Sequence, residues 1–397
     1  MKTKNILWVV PRVFLPISDG ASKANDSLLR SVFPLNEKET AFKVTLLLFS
    51  ENMKVNSDHF LTEFNISKVI VLKKKLLDKG IRRIFQVLAN IFSKTPLTAS
   101  FFDLKENSLK LQKLGQEKFD IIIYDGPHPF SGLDSYFKGV PFVYRSHNVE
   151  FDLWNTHKAK FLIKRVLKEQ KRKMKKLEEN LLKKSRYVWT ISDEDRKKYL
   201  EEFKDLKLEH KIKFVPLTQK FEKNLFFERA GADFLFVGKL DWEPNRLGLI
   251  WFLENVAPHL EEKIKINIVG KGIFPQEKFK KLKNVFFHGY VENLDSFYKE
   301  STASLIPIFS GSGTRIKVVE ALGNGTPILS TTFGVSGSGL EEDDFFVADS
   351  PKEWIEVMNN WDSKEAFKMT LRARKSLEEL YSEKRLENEF IDIVYVH

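Results

Sequence analysis

Four short stretches carry residue types that bind anions or move protons. The longest, Phe309 to Thr332, reads FSGSGTRIKVVEALGNGTPILSTT. An apolar run, Ala303–Ile308, ends in Phe309-Ser310-Gly311-Ser312-Gly313-Thr314, after which Ile316, Val319 and Leu322 share one side of a helix that Gly325 and Pro327 stop. A glycine-rich strand-to-helix junction exposes backbone N–H groups, which together with the helix dipole attract phosphate. Arg315 and Lys317 add positive charge at that end, and Glu320, about one turn on, is placed to accept hydrogen bonds from ribose hydroxyls. The local residues are equally compatible with a capped core helix bearing a Lys317–Glu320 pair on a solvated face.

The other three stretches also follow apolar runs. Arg12–Lys23 contains Asp19, Gly20 and Lys23, and Asp125–Gly132 contains His128 between two prolines. Arg145–Trp154 contains Arg145 and His147. His128 either lines a binding site or fills a rigid turn. Other patterns are set aside. Asp193-Glu194-Asp195 has the Asp-x-Asp spacing of a metal site, but it follows Ser192 as the acidic first turn of a capped helix. The eight histidines form no HxxxH or HxH pair, which argues against a catalytic metal. Gly311 and Gly313 do not complete a GxGxxG with a following acidic ribose ligand, so a nicotinamide cofactor is not expected. With no cysteine in the chain, disulfides, thiolate metal sites and cysteine nucleophiles are excluded, and a reducing cytoplasm is the expected compartment.

These stretches need elements to position them. Asn5–Val10, Lys43–Phe49, Lys68–Leu72, Phe119–Tyr124, Val140–Tyr144 and Tyr187–Ile191 read as buried strands separated by amphipathic stretches. The pattern pauses near Pro216–Arg229 and restarts with Asp233–Val237, Lys265–Val269, Asn284–Phe287, Ala303–Ile308 and Pro327–Ser330. Such alternation implies parallel βαβ units, here in two α/β domains, as 397 residues with 42% hydrophobic content allow. After Asn245 as a helix cap, Ile250, Leu253, Ala257 and Leu260 fall on one helical face, and Leu371–Val396 reads as an amphipathic helix interrupted near Tyr381–Ser382. The N-terminal apolar run Ile6–Val10 is too short for a signal-peptide core or a membrane span and reads as a first buried strand.

The motifs, taken in order, resemble those of retaining glycosyltransferases of the GT-B fold, family 4 (glycosyl transferases group 1). Val237-Gly238-Lys239-Leu240-Asp241-Trp242-Glu243-Pro244-Asn245 is similar to a "VGxLxWxPN" segment, Val269-Gly270-Lys271-Gly272 to "VGxG", and Phe287-His288-Gly289-Tyr290-Val291 to "xxGxV". Glu320–Ile328 is similar to "EA(M/L)xxGxPV", Pro16–Ala21 to "PpxxGG", and Arg145–Glu150 to "RxHNvE". The resemblance implies two Rossmann-like domains facing across a cleft. An N-terminal acceptor-binding domain, 1–215, is completed by 376–397 as the last helix crosses back, and a nucleotide-sugar-binding domain covers 216–375. It implies transfer of a sugar, with retention, from a UDP- or GDP-sugar to a glycan or lipid-linked acceptor in bacterial surface polysaccharide synthesis. No other cofactor and no metal are expected. His147, Lys239, Arg315 and Lys317 are the candidate catalytic residues. Gly20, Gly238, Gly270, Tyr290, Val291, Ser312, Gly313, Thr314 and Glu320 are the donor-site candidates. Asp19, Lys23, His128 and Arg145 belong to the acceptor side. Two departures stand out: Ser312 occupies the place of a first Glu, and no Lys follows the "VGxL" segment, so Arg315 or Lys317 is expected to supply that charge beside Lys239.

A net charge of +11 calls for a negatively charged partner. In Lys73–Lys94, Leu77, Ile81, Ile84, Leu88 and Ile91 repeat at helical spacing while Lys79, Arg82 and Arg83 take other faces, as in a helix lying on an anionic bilayer or in a core helix with a basic back. Lys158–Lys184 reads mainly as a long solvated helix. A cytoplasmic protein, peripheral at most to the inner face of the plasma membrane, is therefore expected. Two alternatives are a sugar-nucleotide hydrolase or epimerase of the same architecture and a basic nucleic-acid-binding protein. The second lacks an RNP-type motif, a helix-turn-helix signature and aromatics interleaved with the basic runs, so no nucleic-acid partner is expected.

Overall fold

In the computed structural model the apolar runs form two wholly parallel sheets. The structure describes residues 3–15, 20–33, 42–52, 55, 58–78, 80–154, 161–222, 231–311 and 316–395, with the backbone alone at 81–84 and 161–163. The chain divides into two units, Met1–Leu217 with Leu386–His397, and Thr218–Arg385.

The first unit contains β1 (Lys4–Val10), β2 (Phe42–Ser50), β3 (Lys68–Lys73), β4 (Ile121–Asp125), β5 (Phe142–Ser146), β6 (Tyr187–Thr190) and β7 (Ile212–Phe214), in the order β3-β2-β1-β4-β5-β6-β7. The second contains β8 (Asp233–Val237), β9 (Lys265–Val269), β10 (Val285–Gly289), β11 (Ala303–Ile306), β12 (Ile328–Ser330) and β13 (Phe346–Val347), in the order β10-β9-β8-β11-β12-β13. Central strands of such sheets are covered on both faces, which is why they read as unbroken apolar runs rather than alternating ones. Ile6 to Val10 are all fully buried, as their reading as a first strand requires.

The helices that bear on function are α1 (Gly20–Val32), α2 (Ile81–Ile91), α3 (Phe161–Lys184), α4 (Asp193–Glu202), α5 (Glu243–Asn255), α6 (Ile316–Gly323), α7 (Ser363–Leu380) and α8 (Glu383–Tyr395). One face of the first sheet packs Trp8, Val143 and Trp189 with Leu28 and Leu29 of α1 and with Leu386, Phe390, Ile393 and Val394 of α8. Phe390 lies edge-on to Phe33 at 5.2 Å and to Phe42 at 5.3 Å. The opposite face packs Tyr124 and Tyr144 with Met174, Leu181 and Leu182 of α3 and Tyr199 of α4. In the second unit Leu249, Phe252 and Leu253 of α5 cover one face, while Val318, Val319 and Leu322 of α6 join Ala373 and Leu377 of α7 on the other.

Four expectations are corrected. The helix foreseen over Lys73–Lys94 is only α2, because Lys73 closes β3 and residues 74–78 are not helical. Asn245 is not a cap but lies inside α5, which ends at Asn255, ahead of Ala257 and Leu260; its buried residues are Asn245, Gly248, Leu249, Phe252 and Leu253. Helix α3 is not mainly solvated, since Gln170, Lys173, Met174, Glu178, Leu181 and Leu182 are buried. Finally, β4 and β5 run on to Asp125 and Ser146, so Asp125, Arg145 and Ser146 are strand residues rather than loop residues.

Candidate active site

Parallel sheets gather their binding loops at the carboxyl edge, above all where the strand order reverses. That reversal lies between β1 and β4 in the first unit and between β8 and β11 in the second. Three of the stretches picked out in the sequence lie at the ends of β1, β4 and β11, and the fourth at the end of β5.

In the first unit the ladder register sets Asp125 beside Arg145, and residues paired across a ladder leave the sheet on the same face. Arg145 Nη1 donates to Asp125 Oδ1 at 2.8 Å and to Asn25 Oδ1 of α1 at 2.5 Å, while Nη2 donates to the Ala24 carbonyl at 2.8 Å. His147 Nε2 meets the same Asp125 oxygen at 2.7 Å. Asp125 and Arg145 are 1% and 3% exposed, so these charges are shielded from water by design of the fold. Burial alone would raise the Asp125 pKa, but the charges and hydrogen bonds of His147 and Arg145 outweigh it and hold the group at about 2. The ionised Asp125 accepts the proton carried on His147 Nε2, and in the tautomer with its only proton there Nδ1 is left as an acceptor. Nδ1 is buried and has no hydrogen-bond partner among the described residues. A hydroxyl-bearing ligand would satisfy it.

His128 lies apart from this trio, with Nε2 3.9 Å from Glu150 Oε2. Burial, reinforced by the nearby Lys74 ammonium, pushes His128 down to about 4, and burial pushes Glu150 up to about 7. His128 is therefore neutral at physiological pH, and its contact with Glu150 is not a strong ion pair. Gly20 is the first residue of α1 and Lys23 is half-buried on it, whereas Asp19 lies outside the described residues.

In the second unit, glycines close the sheet edge. Gly270, at φ +157°, packs so tightly that a Cβ there would fall 1.8 Å from the Gly238 carbonyl oxygen. Gly238 N–H donates to Val269 O at 3.0 Å and Gly270 N–H to Gly289 O at 2.8 Å, stitching together the ends of β8, β9 and β10. Lys317 of α6 donates from Nζ to Asn245 Oδ1 at 2.7 Å and lies over the Phe236 ring at 4.9 Å, while Asn245 Nδ2 donates to the Lys239 carbonyl at 3.0 Å. A Cβ on Gly238 would meet Asn245 Nδ2 at 2.7 Å and Lys317 Nζ at 3.3 Å, so the lysine reaches the glycine edge itself.

Lys317 and Glu320 thus do not form the pair that a simple solvated face would favour. Tyr298, fully buried, instead donates its hydroxyl to Glu320 Oε2 at 3.3 Å. The Lys239 side chain is half-exposed and turns its ammonium toward Asp241, at 3.6 Å. Tyr290 is exposed just past β10, and Val291 packs against the α6 side of the core. Ser312, Gly313, Thr314 and Arg315 lie outside the described residues. Reading by motif passed over Asn25, Asp125 and Tyr298, and gave Asn245 another role. The available signal for Asp125 was an acid closing the otherwise apolar run IIIYD.

Ser192 caps α4 by accepting from Asp195 N–H, as expected, and Asp193 pairs with Arg196 and Lys197. No group of three or more His, Cys, Asp or Glu placed to hold a metal occurs among the described residues. No helix among them is long and apolar enough to cross a membrane.

Comparisons with known proteins bear on the fold and on the second unit. Residues 231–361, most of the second unit, match the family model "Glycosyl transferases group 1". An uncharacterized 44.6 kDa protein in the cps region of Klebsiella pneumoniae is 28% identical over 139 residues, a match that spans 32% of this chain and 35% of the relative. TarM matches with a TM-score of 0.67 at 12% identity over 99% of both chains. HepE of Anabaena, in complex with UDP and glucose, matches with 0.64 at 13% identity over 99% of this chain and 100% of its own. Sucrose-phosphate synthase of Thermosynechococcus elongatus matches with 0.68 at 13% identity over 98% of both. The fold is GT-B, as the motifs implied, and the resemblance to group 1 glycosyl transferases is borne out over residues 231–361.

Proposed function

We infer that this GT-B chain, whose second unit matches the group 1 glycosyl transferases, moves a sugar from a nucleotide diphosphate to a glycan or glycolipid acceptor. The observation that carries this reading is the convergence of Lys317, Asn245 and the Lys239 loop on the glycine-closed sheet edge, inside the segment that matches the family. Breaking the anomeric C–O bond leaves negative charge on the β-phosphate, and cations with backbone donors stabilise that charge as it develops. This role is assigned to Lys317, Lys239 and Arg315, with Ser312, Gly313 and Thr314 as further donor-site residues. Glu320, oriented by Tyr298, accepts from the ribose, while Tyr290 and Val291 border the base.

The first unit takes the acceptor, through Asp19, Lys23, His128 and Arg145. His147 presents its unfilled Nδ1 to a hydroxyl of the transferred sugar. Transfer proceeds with retention. The acceptor oxygen forms its bond on the face that the phosphate leaves, the phosphate departs with the bonding electrons, and the acceptor's proton passes to the departing phosphate oxygen. No protein base and no metal enter this scheme. UDP in HepE and UDP with α-GlcNAc-glycerol in S. aureus TarM favour a UDP-sugar donor, with GDP-sugars as the competitor. The cps-region relative favours a surface polysaccharide product.

A thermal-shift panel of UDP-, GDP- and ADP-sugars tests the donor, since a ligand bound only by the folded form raises apparent stability. A shift with one nucleotide that is lost in Lys317→Ala is expected. Unchanged donor binding and turnover in that variant would sink the pocket assignment, and activity that a chelator abolishes and magnesium restores would overturn the metal-free scheme.

A second reading concerns location, at the inner face of the plasma membrane. It is favoured by α2 and its flank, where Phe85, Leu88 and Phe92 are exposed, Phe92 at 92%, with the exposed Lys75 and Lys94 nearby in sequence. Buried Lys173 of α3 donates to the carbonyls of Asn90 and Ile91 at 2.6 and 3.1 Å, fixing the C-terminal turn of α2 on the protein side. An aromatic and basic face of this kind suits an anionic bilayer. Co-sedimentation with phosphatidylglycerol vesicles should fall several-fold in Phe85→Ser/Phe92→Ser, and indifference to both substitutions would remove this reading.

A further inference from the structure

Alternation along β5 sends neighbouring side chains to opposite faces of the first sheet. Arg145 leaves toward α1, where it meets Asp125 and Asn25. Tyr144 and Ser146 leave toward α3 and α4, on the far side from the Asp125–His147 contact. At the centre of that far side lies Glu178 of α3, fully buried. Its Oε1 accepts from the Tyr144 hydroxyl at 3.1 Å, from Glu150 N–H at 3.2 Å, and from the Tyr199 hydroxyl in a short contact; its Oε2 accepts from Phe151 N–H at 2.9 Å.

The network continues to the residues that flank His147. Ser146 Oγ donates to the Asn148 carbonyl at 2.7 Å and lies 3.0 Å from the Tyr199 hydroxyl, which is itself 3.3 Å from the same carbonyl. Both chain neighbours of His147, and the two residues that end the turn after it, are therefore fixed by one carboxyl group and one phenol. Met174, Leu181 and Leu182 pack α3 into the core, whereas the hydrogen bonds of Glu178 go to β5, the turn after it and α4. A buried acid with four donors directed at it is costly to desolvate, and it is sustained by ordering what surrounds it.

We propose that Glu178 is a positioning residue for the active site: from behind the sheet, through Tyr199 and the 146–151 turn, it fixes the ring of His147 against Asp125. This rests on the reading of His147 as a sugar-binding residue, yet the placement of the ring is measurable without any turnover. Burial drives Glu178 up to about 8, so near neutrality it carries a proton. The hydroxyl rotors accommodate this state, because the acid can donate to the Tyr199 oxygen while Tyr199 donates to the Asn148 carbonyl. Glu178→Gln imitates that neutral form and is the conservative variant, whereas Glu178→Leu and Tyr199→Phe break the path.

The test uses the full chain, with the ring 1H and 15N shifts of His147 as a structural readout and sugar transfer from the donor found by thermal shift as a functional one. Leu181→Ala, a cavity in the same helix at a residue whose side chain makes no hydrogen bond to the network, is the control for plain loss of stability. Tyr199→Phe should move the His147 shifts and lower turnover at least tenfold with affinity for the nucleoside diphosphate alone unchanged; Glu178→Gln should stay within about threefold of the parent. Leu181→Ala should lower the melting temperature yet keep the shifts and the turnover. His147 shifts that are the same in Tyr199→Phe as in the parent, or that move equally in Leu181→Ala, would overturn the proposal. If Glu178→Leu fails to fold, Tyr199→Phe still decides it. If no variant or parent transfers sugar, the shifts still decide it, and the reading of function is what fails.

Discussion

The two units reach a site by opposite means. In the first, Asp125, Arg145, His147 and Asn25 meet through buried side chains, and the charges are neutralised before any ligand arrives. In the second, the edge is shaped mainly by backbone, with Gly238 and Gly270 in close contact and the lysines at the rim, one half-exposed and one held by an amide. A desolvated charge cluster is rigid but fails if one member is removed. A backbone cradle tolerates the loss of a rim charge but not the addition of a single carbon.

The contrast can be broken or sharpened by experiment. Asp125→Leu leaves Arg145 buried without its carboxylate and should cost ~3–5 kcal/mol of stability in urea unfolding; a loss below ~1 kcal/mol would remove the distinction between the units. Gly270→Ala drives a Cβ into the Gly238 carbonyl and should cost ~1–3 kcal/mol while weakening donor binding, since the edge must open to admit it. Calorimetry that found full donor affinity in this variant would show that the edge is not part of the pocket. Asn245→Ala removes the acceptor of Lys317 and the donor to the Lys239 carbonyl, and should cost ~1 kcal/mol and raise the donor KM several-fold with kcat less affected.

A last effect concerns pH, and its sign differs between carboxyl groups of the same unit. Asp125, held at about 2 against an ordinary 3.8, contributes stability that is present above pH 3.8 and lost as pH falls toward 2. Glu178, raised to about 8 from 4.5, contributes stability that is fully present below pH 4.5 and lost as pH rises through 8. Melting temperatures of the parent should therefore decline from pH 5 to 8.5 more steeply than those of Glu178→Gln, and parallel curves would argue against a buried proton at that position.

The same contrast explains what was legible in the sequence. Backbone-built features leave local signatures, and the glycines at 238, 270 and 289, with the strands that lead to them, stood out as motifs. Asp233–Val237 and Lys265–Val269 even end where expected. Side-chain clusters depend on register between strands distant in sequence. Asp125 meets Arg145 because β4 and β5 each extend beyond their apolar runs, which hydrophobicity cannot signal for a charged residue. Glu178 sits in a lysine-rich helix and looked solvated, because a stripe of polar residues turned inward has the same composition as one turned outward. β7 and β13, with three residues and two, are edge strands too short to show any period.

The helix α8 also has a consequence for the order of synthesis. Its Phe390 closes the aromatic cluster of Phe33 and Phe42, and with Leu386, Ile393 and Val394 it fills a face of the sheet whose other strands precede residue 215. A ribosome delivers those residues only after the whole second unit has been made. The first unit must therefore wait, with Trp8, Phe33 and Trp189 uncovered on that face, for roughly 170 further residues, and α8 acts as a checkpoint by which the first unit finishes its core only after the second has been translated.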